Sequence, residues 1–503
     1  MTAKSVGEVF KANVAAAPDR VFLSGPNDKV WSRADFDALA EKIADHLWAN
    51  GARPGERVTA VVEKSPEAFA TYLACQYGGY VYHPANIGYT DVELAFLVGD
   101  AKPKVVVCDP ARTATFNDLA GAVVLTLGQK GEGTLLDFGE GEAGETRAAY
   151  VADADDWAAL LYTSGTTGKP KGAMLSQNNL LSNALTLLDA WQITDQDKLL
   201  HVLPIFHTHG LFVAGNTSLC AGGEILFENT FNIDVLFERL PSATMFMGVP
   251  THYGRMLGDD RLNAQSTENM RLFISGSAPL DAVSSDMFFE KTGHRVLERY
   301  GMTETAMLTS NPFEGDRVAG SVGQPLPGVS VQIRKDDGSL AAAGEIGIVE
   351  VKGPNVSKGY FGLDKKTKES FTDDGFFVTG DLGFFNEESY LTLSGRQSDM
   401  IISGGFNVYP REVENALLDQ EGVKEVAVFG VPHPDFGEGV SAAVVLDGES
   451  IEEAKIIESA KVVLASYKSP KRIFFYEELP KNAMGKVDRK LLRAKYADIF
   501  QGS

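Results

Sequence analysis

Arg57-Val-Thr-Ala-Val-Val62 reads as a buried strand, and the i, i+3, i+4 apolar spacing of Pro66–Cys75 that follows it reads as a helix. The pattern continues outward. Lys104–Cys108, Val123–Leu127 and Ala159–Tyr162 are further apolar, β-branched runs, and Leu180–Trp191 repeats the helical spacing. Strands alternating with helices predict an α/β fold with a largely parallel, doubly wound sheet, in which ligands sit beyond the carboxyl ends of the strands. Upstream, Val9, Phe10 and Val14 ahead of Pro18 predict a first helix.

Near Gly395 the character changes. Ser403-Gly404-Gly405 is followed by short units: a helix over Arg411–Leu418, strands over Glu425–Val431 and Ser441–Leu446, a helix over Ile451–Ala465 and a strand over Arg472–Tyr476. This predicts two domains, a large one over residues 1–396 and a small, mobile α+β lid over 397–503, with a hinge at their boundary.

Composition excludes several classes. The 503 residues carry 46 Lys+Arg against 68 Asp+Glu, a formal charge of −22, the wrong sign for gripping a nucleic-acid backbone. Apolar residues make up 44%, enough for packed cores, and no segment reaches the roughly 18 consecutive apolar residues of a membrane span. Cys75, Cys108 and Cys220 are far apart and form no CxxC pair, which argues against a disulfide framework or a zinc knuckle and for a reducing compartment, and Met1–Arg20, with Glu8 and Asp19 and no apolar stretch, reads as a cytoplasmic start. Composition sets no oligomeric state. Gly139-Glu-Gly141-Glu-Ala-Gly144 matches GxGxxG literally, but its glutamates would repel phosphate and no periodic helix follows, so it reads as a solvated loop.

The strongest chemical signal is Tyr162-Thr-Ser-Gly165-Thr-Thr-Gly168-Lys169-Pro170-Lys171-Gly172. Glycines let backbone N–H groups converge on phosphate oxygens, the Ser and Thr hydroxyls add donors, and two lysines add charge. The loop is expected to follow a strand and precede a helix capped by Ser176. It is not a Walker A loop, because Gly165 and Gly168 are too close and Pro170 stands where a magnesium-holding hydroxyl belongs.

This segment resembles the phosphate loop of the adenylate-forming acyl-CoA synthetases, the ANL superfamily. The resemblance runs nearly the full length through Leu203-Pro-Ile-Phe-His207-Thr-His209-Gly210, Ser275-Gly-Ser277-Ala-Pro279, Glu298-Arg299-Tyr300-Gly301-Met-Thr303-Glu304-Thr305, Phe377-Val-Thr-Gly380-Asp381, Gly395-Arg396, Gly404-Gly405-Phe406-Asn407-Val-Tyr-Pro410 and Leu479-Pro-Lys481-Asn-Ala-Met-Gly485-Lys486. LPIFHTHGLF, LFISGSAPL, LERYGMTET and HPDFGEGV resemble the malonate-activating members in particular.

The resemblance implies an N-terminal domain of doubly wound sheets and a distorted barrel, closed by the lid. It also implies a reaction in which a carboxylate attacks ATP to give an acyl-AMP and coenzyme A then takes the acyl group. Thr163, Ser164, Gly165, Thr166, Thr167, Gly168, Lys169 and Lys171 would hold phosphate; Ser277, Ala278, Pro279, Glu298, Tyr300 and Gly301 would enclose the adenosine; Asp381 and Arg396 would meet the ribose. Glu304 would bind Mg2+ and Thr303 phosphate. Lys486 would bridge the carboxylate to phosphate, and His207 would face the carboxylate. Gly404 and Gly405 would admit the pantetheine arm, with Lys468, Lys471 and Arg472 near the coenzyme A phosphates. Ser398 departs from the pattern, standing where relatives place Asp or Lys at the hinge.

Arg299, with Ser277, His207 and Met302, indicates the acid. A guanidinium clamps a carboxylate that is not being activated, which suits malonate or methylmalonate; pairing with Glu298 or a core acid is the plainer alternative. Rival functions are a synthetase for another short or aryl acid and an adenylation enzyme loading a carrier protein. Residues Tyr467–Tyr496 hold nine basic side chains against three acidic ones, which predicts a cationic lid on an acidic body.

Overall fold

A computed structural model describes residues 3–26, 29–117, 121–138, 147–163, 170–448, 450–482 and 486–500. The loop residues Ser164–Lys169 and the Gly139–Gly144 segment lie outside these. The chain divides into two compact units, residues 1–331 with 351–377, and residues 332–350 with 378–503.

The first unit is built on two sheets. One has six strands in the order Val123–Thr126, Val105–Cys108, Arg57–Val61, Val81–Pro84, Trp157–Thr163 and Lys171–Ser176. All pair in parallel except the last, which runs antiparallel to Trp157–Thr163 with Thr163 opposite Lys171. The other has nine strands, and its parallel centre includes Leu297–Met302, Leu272–Ser275, Met245–Gly248, Lys198–His201, Glu224–Phe227 and Val21–Ser24. The first helix is Val6–Ala16. Helix Pro66–Gly78 is buried along its whole length, in a core drawing Val58 and Val105 from one sheet and Leu23, Ile225 and Phe227 from the other. A helix buried on every face belongs between layers.

The expected alternation is present, with one correction. Lys171–Ser176 is a strand, so the phosphate loop joins two antiparallel strands instead of leading straight into a helix. The helix begins one residue later: Ser176 is the N-cap of Gln177–Ala190 and accepts from the Asn179 N–H. A cap at the end of a strand satisfies helix donors without a separate loop.

The second unit holds most of a four-stranded sheet, Ser330–Arg334, Gly347–Lys352, Phe377–Phe385 and Leu391–Arg396. It also holds a five-stranded sheet centred on the long hairpin Val423–His433 and Gly437–Leu446, with Arg472–Phe475 parallel at its edge. Helices Pro410–Leu418 and Glu453–Val463 pack on it through Val413, Leu417, Ile456 and Ala460. Among the described residues no helix is long and apolar enough to cross a membrane.

Candidate active site

At the carboxyl end of Trp157–Thr163, the Thr163 hydroxyl donates to Glu304 Oε1 at 3.2 Å, and the Tyr360 hydroxyl donates to the same oxygen at 3.0 Å. Glu304 is 5% exposed and sits in the turn between Leu297–Met302 and Ala306–Ser310, beside half-buried Met302 and Thr303. Two hydroxyls on one oxygen orient the carboxylate. The Lys171 ammonium lies 5.4 Å from the Tyr360 ring centre, where burial and Lys366 lower its pKa and Glu304 opposes them. Gly301 lies under this turn, since a Cβ there would collide with the Ala306 carbonyl oxygen. Tyr360 belongs to no motif read above and is found only through its contact.

A second cluster forms where Leu272–Ser275 ends. Arg299 is buried, and its guanidinium lies so close against Gly276 that any Cβ there would collide with Cζ. Its Nε and Nη2 are buried without a hydrogen-bond partner among the described residues. Such groups are rare in native proteins and mark a missing ligand or water. Pairing with Glu298 does not occur: that carboxylate accepts from the Leu280 and Gly320 N–H groups at 3.2 and 3.3 Å. Ser277 follows in the left-handed region at φ +69°, and its hydroxyl meets His209 Nδ1 at 3.3 Å. His209 Nε2 is likewise buried and unpartnered, and burial, then Arg299, push its pKa far below the usual imidazole range. The two histidines of the shared motif part company here. His209 is the buried member; His207 is half-buried and accepts from the His209 N–H at 3.3 Å. Tyr300 is buried, whereas Ala278 and Pro279 are exposed.

In the second unit Asp381 faces Arg396 across adjacent strands, with Arg396 Nε 3.0 Å from Asp381 Oδ1. Gly404 and Gly405, at φ +61° and +81°, form the two-residue turn of the hairpin Ile401–Ser403 and Phe406–Val408. Positive φ at both positions is what such a turn requires, so the hairpin itself explains both glycines. Lys468 donates to Glu412 at 2.5 Å, Arg472 to Glu453 at 3.0 Å, and Arg489 to Glu414 at 2.5 Å. The cationic segment is therefore offset by acids from elsewhere in the same unit. Lys486 is exposed inside the turn closed by the bridge between Lys481 and Val487, where its N–H donates to Asn482 Oδ1 at 3.1 Å. The Ser398 carbonyl accepts from Arg493 at 3.5 Å.

Among the described residues no group of three or more His, Cys, Asp or Glu side chains is placed to hold a metal. A lone, oriented carboxylate such as Glu304 still suits Mg2+, which uses one or two carboxylates and draws its other ligands from phosphate and water.

An oriented acid at the carboxyl end of a doubly wound sheet, where Thr163 and Lys171 flank the Gly/Thr/Lys sequence, is the setting of a nucleotide-dependent enzyme, and the family comparisons make it one of the adenylate-forming kind. Two family models match, AMP-binding enzyme over residues 10–361 and AMP-binding enzyme C-terminal domain over residues 412–486. The chain belongs to the AMP-binding enzyme family. It is 34% identical to a malonate–CoA ligase of Arabidopsis thaliana, over 97% of this chain and 89% of that protein. The ATP-bound crystal structure of MatB from Rhodopseudomonas palustris superposes with a TM-score of 0.95 at 49% identity, covering 98% of this chain and all of that one. O-succinylbenzoate coenzyme A synthetase from Bacillus subtilis, with ATP and magnesium ion, superposes at 0.86 with 29% identity, over 96% and 98% of the two chains.

Proposed function

We propose that the protein is an AMP-forming ligase joining malonate, and also methylmalonate, to coenzyme A. The reading rests on Arg299: a buried guanidinium with two unclaimed donors, beside His209 and Ser277, suits a carboxylate that stays intact while its twin reacts. In the first half-reaction a carboxylate oxygen attacks the α-phosphorus of ATP and pyrophosphate leaves. In the second, the coenzyme A sulfur attacks the acyl carbon, AMP leaves, and the thiol proton passes to solvent.

The roles follow from charge. Both reactants of the first step are anions, so the Thr163–Lys171 loop, Thr303 and Lys486 offset their repulsion. Bound Mg2+ adds charge neutralisation at the phosphates, and Glu304 would hold it. Asp381, aligned by Arg396, accepts the ribose hydroxyls, while Ser277–Pro279, Glu298, Tyr300 and Gly301 enclose the adenosine. His207 and Met302 complete the wall facing the acid. Gly404 and Gly405 bound the path of the pantetheine arm. Lys468 and Arg472 would exchange Glu412 and Glu453 for coenzyme A phosphates. Residues 397–503 act as the lid, hinged at Ser398. Three buried, unpaired cysteines accord with a reducing, cytoplasmic setting.

AMP release with a panel of acids, with and without coenzyme A, tests the reading. Malonate should be the best substrate, with methylmalonate next and propionate far below; equal rates with malonate and propionate would refute it. The pH profile is a separate expectation. Burial lowers the Arg299 pKa to about 9. A guanidinium stays charged across the working range and a bound carboxylate favours that form further, so kcat/KM for malonate should show no loss from this group up to about pH 9. His209 stays neutral through the same range and adds no acid limb.

A further inference from the structure

Lys64 is a buried ammonium that no step above uses. It directly precedes Ser65, the N-cap of helix Pro66–Gly78, so the positive end of that helix dipole opposes its charge. Burial lowers its pKa well below the usual lysine value, and Glu228 acts against that. A cation kept there against both effects needs strong partners. Lys64 Nζ lies 2.9 Å from His201 Nδ1, 2.9 Å from the His201 carbonyl oxygen and 4.4 Å from the Phe227 ring centre. An ammonium has three N–H donors, and here each has an acceptor.

A carbonyl only accepts, so the Gly210 oxygen beside His201 Nε2 places the ring proton there and leaves Nδ1 as the acceptor from Lys64 Nζ. Nε2 reaches the Gly210 carbonyl at 2.8 Å. Gly210 closes the loop that carries His207 and His209, and a Cβ on it would collide with the Pro204 carbonyl oxygen. It also lies in a π-helix, His209–Gly215, a rare form that is frequent at functional sites. The chain from Lys64 through His201 thus ends on the residue adjoining His209, the partner of Ser277 in the Arg299 cluster.

We infer that Lys64 and His201 are positioning residues for the acyl pocket: the chain Lys64, His201, Gly210 sets where His209 stands against Ser277 and Arg299. The inference rests on reading that cluster as the acid's pocket. It does not depend on which acid fills it.

Steady-state kinetics of the full-length enzyme decide it, using whichever acid of the panel the wild type activates best, so that a wrong acid and a wrong relay give different results. The variants are Lys64→Met, His201→Asn and His201→Gln. The Gln amide nitrogen falls near Nε2 and can still donate to Gly210, whereas Asn cannot reach it. Lys64→Met and His201→Asn should raise KM for the acid about tenfold or more, with KM for ATP within about twofold, and His201→Gln should stay within about threefold of wild type. The inference fails if KM for the acid is unchanged in Lys64→Met, if both KM values rise together, or if Gln is no better than Asn. Should Lys64→Met not fold, the contrast between Gln and Asn at position 201 decides alone.

Discussion

Lys486→Ala is expected to slow adenylation about 10²–10³-fold or more, the loss seen when one preorganised transition-state donor is removed. The first step drives one anion onto another, and negative charge accumulates on oxygens around the α-phosphorus. A compact ammonium is the group suited to that site. The second step leaves less for this lysine to do, because the adenylyl transfer is already complete. Thioester formation from supplied malonyl-AMP should therefore survive in the variant. Folding should too: Lys486 is exposed, and what holds its turn is the peptide contact with Asn482, which alanine keeps. Surface substitutions of this kind move stability by about 0.5 kcal/mol or less. Pyrophosphate release and thioester formation, measured separately, give the answer; equal loss of both would remove the assigned role.

The second large effect is at Arg299. Arg299→Ala should erase most of the preference for malonate over propionate, about 10³-fold or more, because a site built around a buried donor rejects a substrate that leaves it unpaired. The same reasoning predicts an unusual stability result. Arg299 makes no ion pair among the described residues, and two of its donors are unpartnered. Removing an uncompensated buried charge relieves a desolvation penalty, so Arg299→Met should melt at or above the wild-type temperature while losing malonate activity. A variant that loses stability and retains selectivity would show that Arg299 is structural.

Much of this is legible in the residues. The strands over 57–62, 104–108 and 123–127 and helices after Pro66 and Ser176 carry their periods openly, and the motifs lie in order along the chain. Lys171–Ser176 is the exception: it is a strand between the loop and the helix capped by Ser176, too short for its period to show. It becomes a strand by pairing with Trp157–Thr163. Glu298 and Arg299 are neighbours whose pairing looks natural, yet they contact different groups, Leu280 and Gly320 for one and Gly276 for the other. On a strand, successive side chains point to opposite faces.

Periodicity and motif spacing are properties of the chain, and they carry the alternation of strands and helices, the family and the residue types its chemistry needs. Which charged groups meet is settled by folding. Tyr360 finds Glu304 across 56 positions, Lys468 finds Glu412 across 56, Arg489 finds Glu414 across 75, and Lys64 finds His201 across 137. Whether a cation is offset by an acid, held by an imidazole or left open for a substrate depends on distance in space and on exclusion of water, and neither is written in the spacing of residues along the chain.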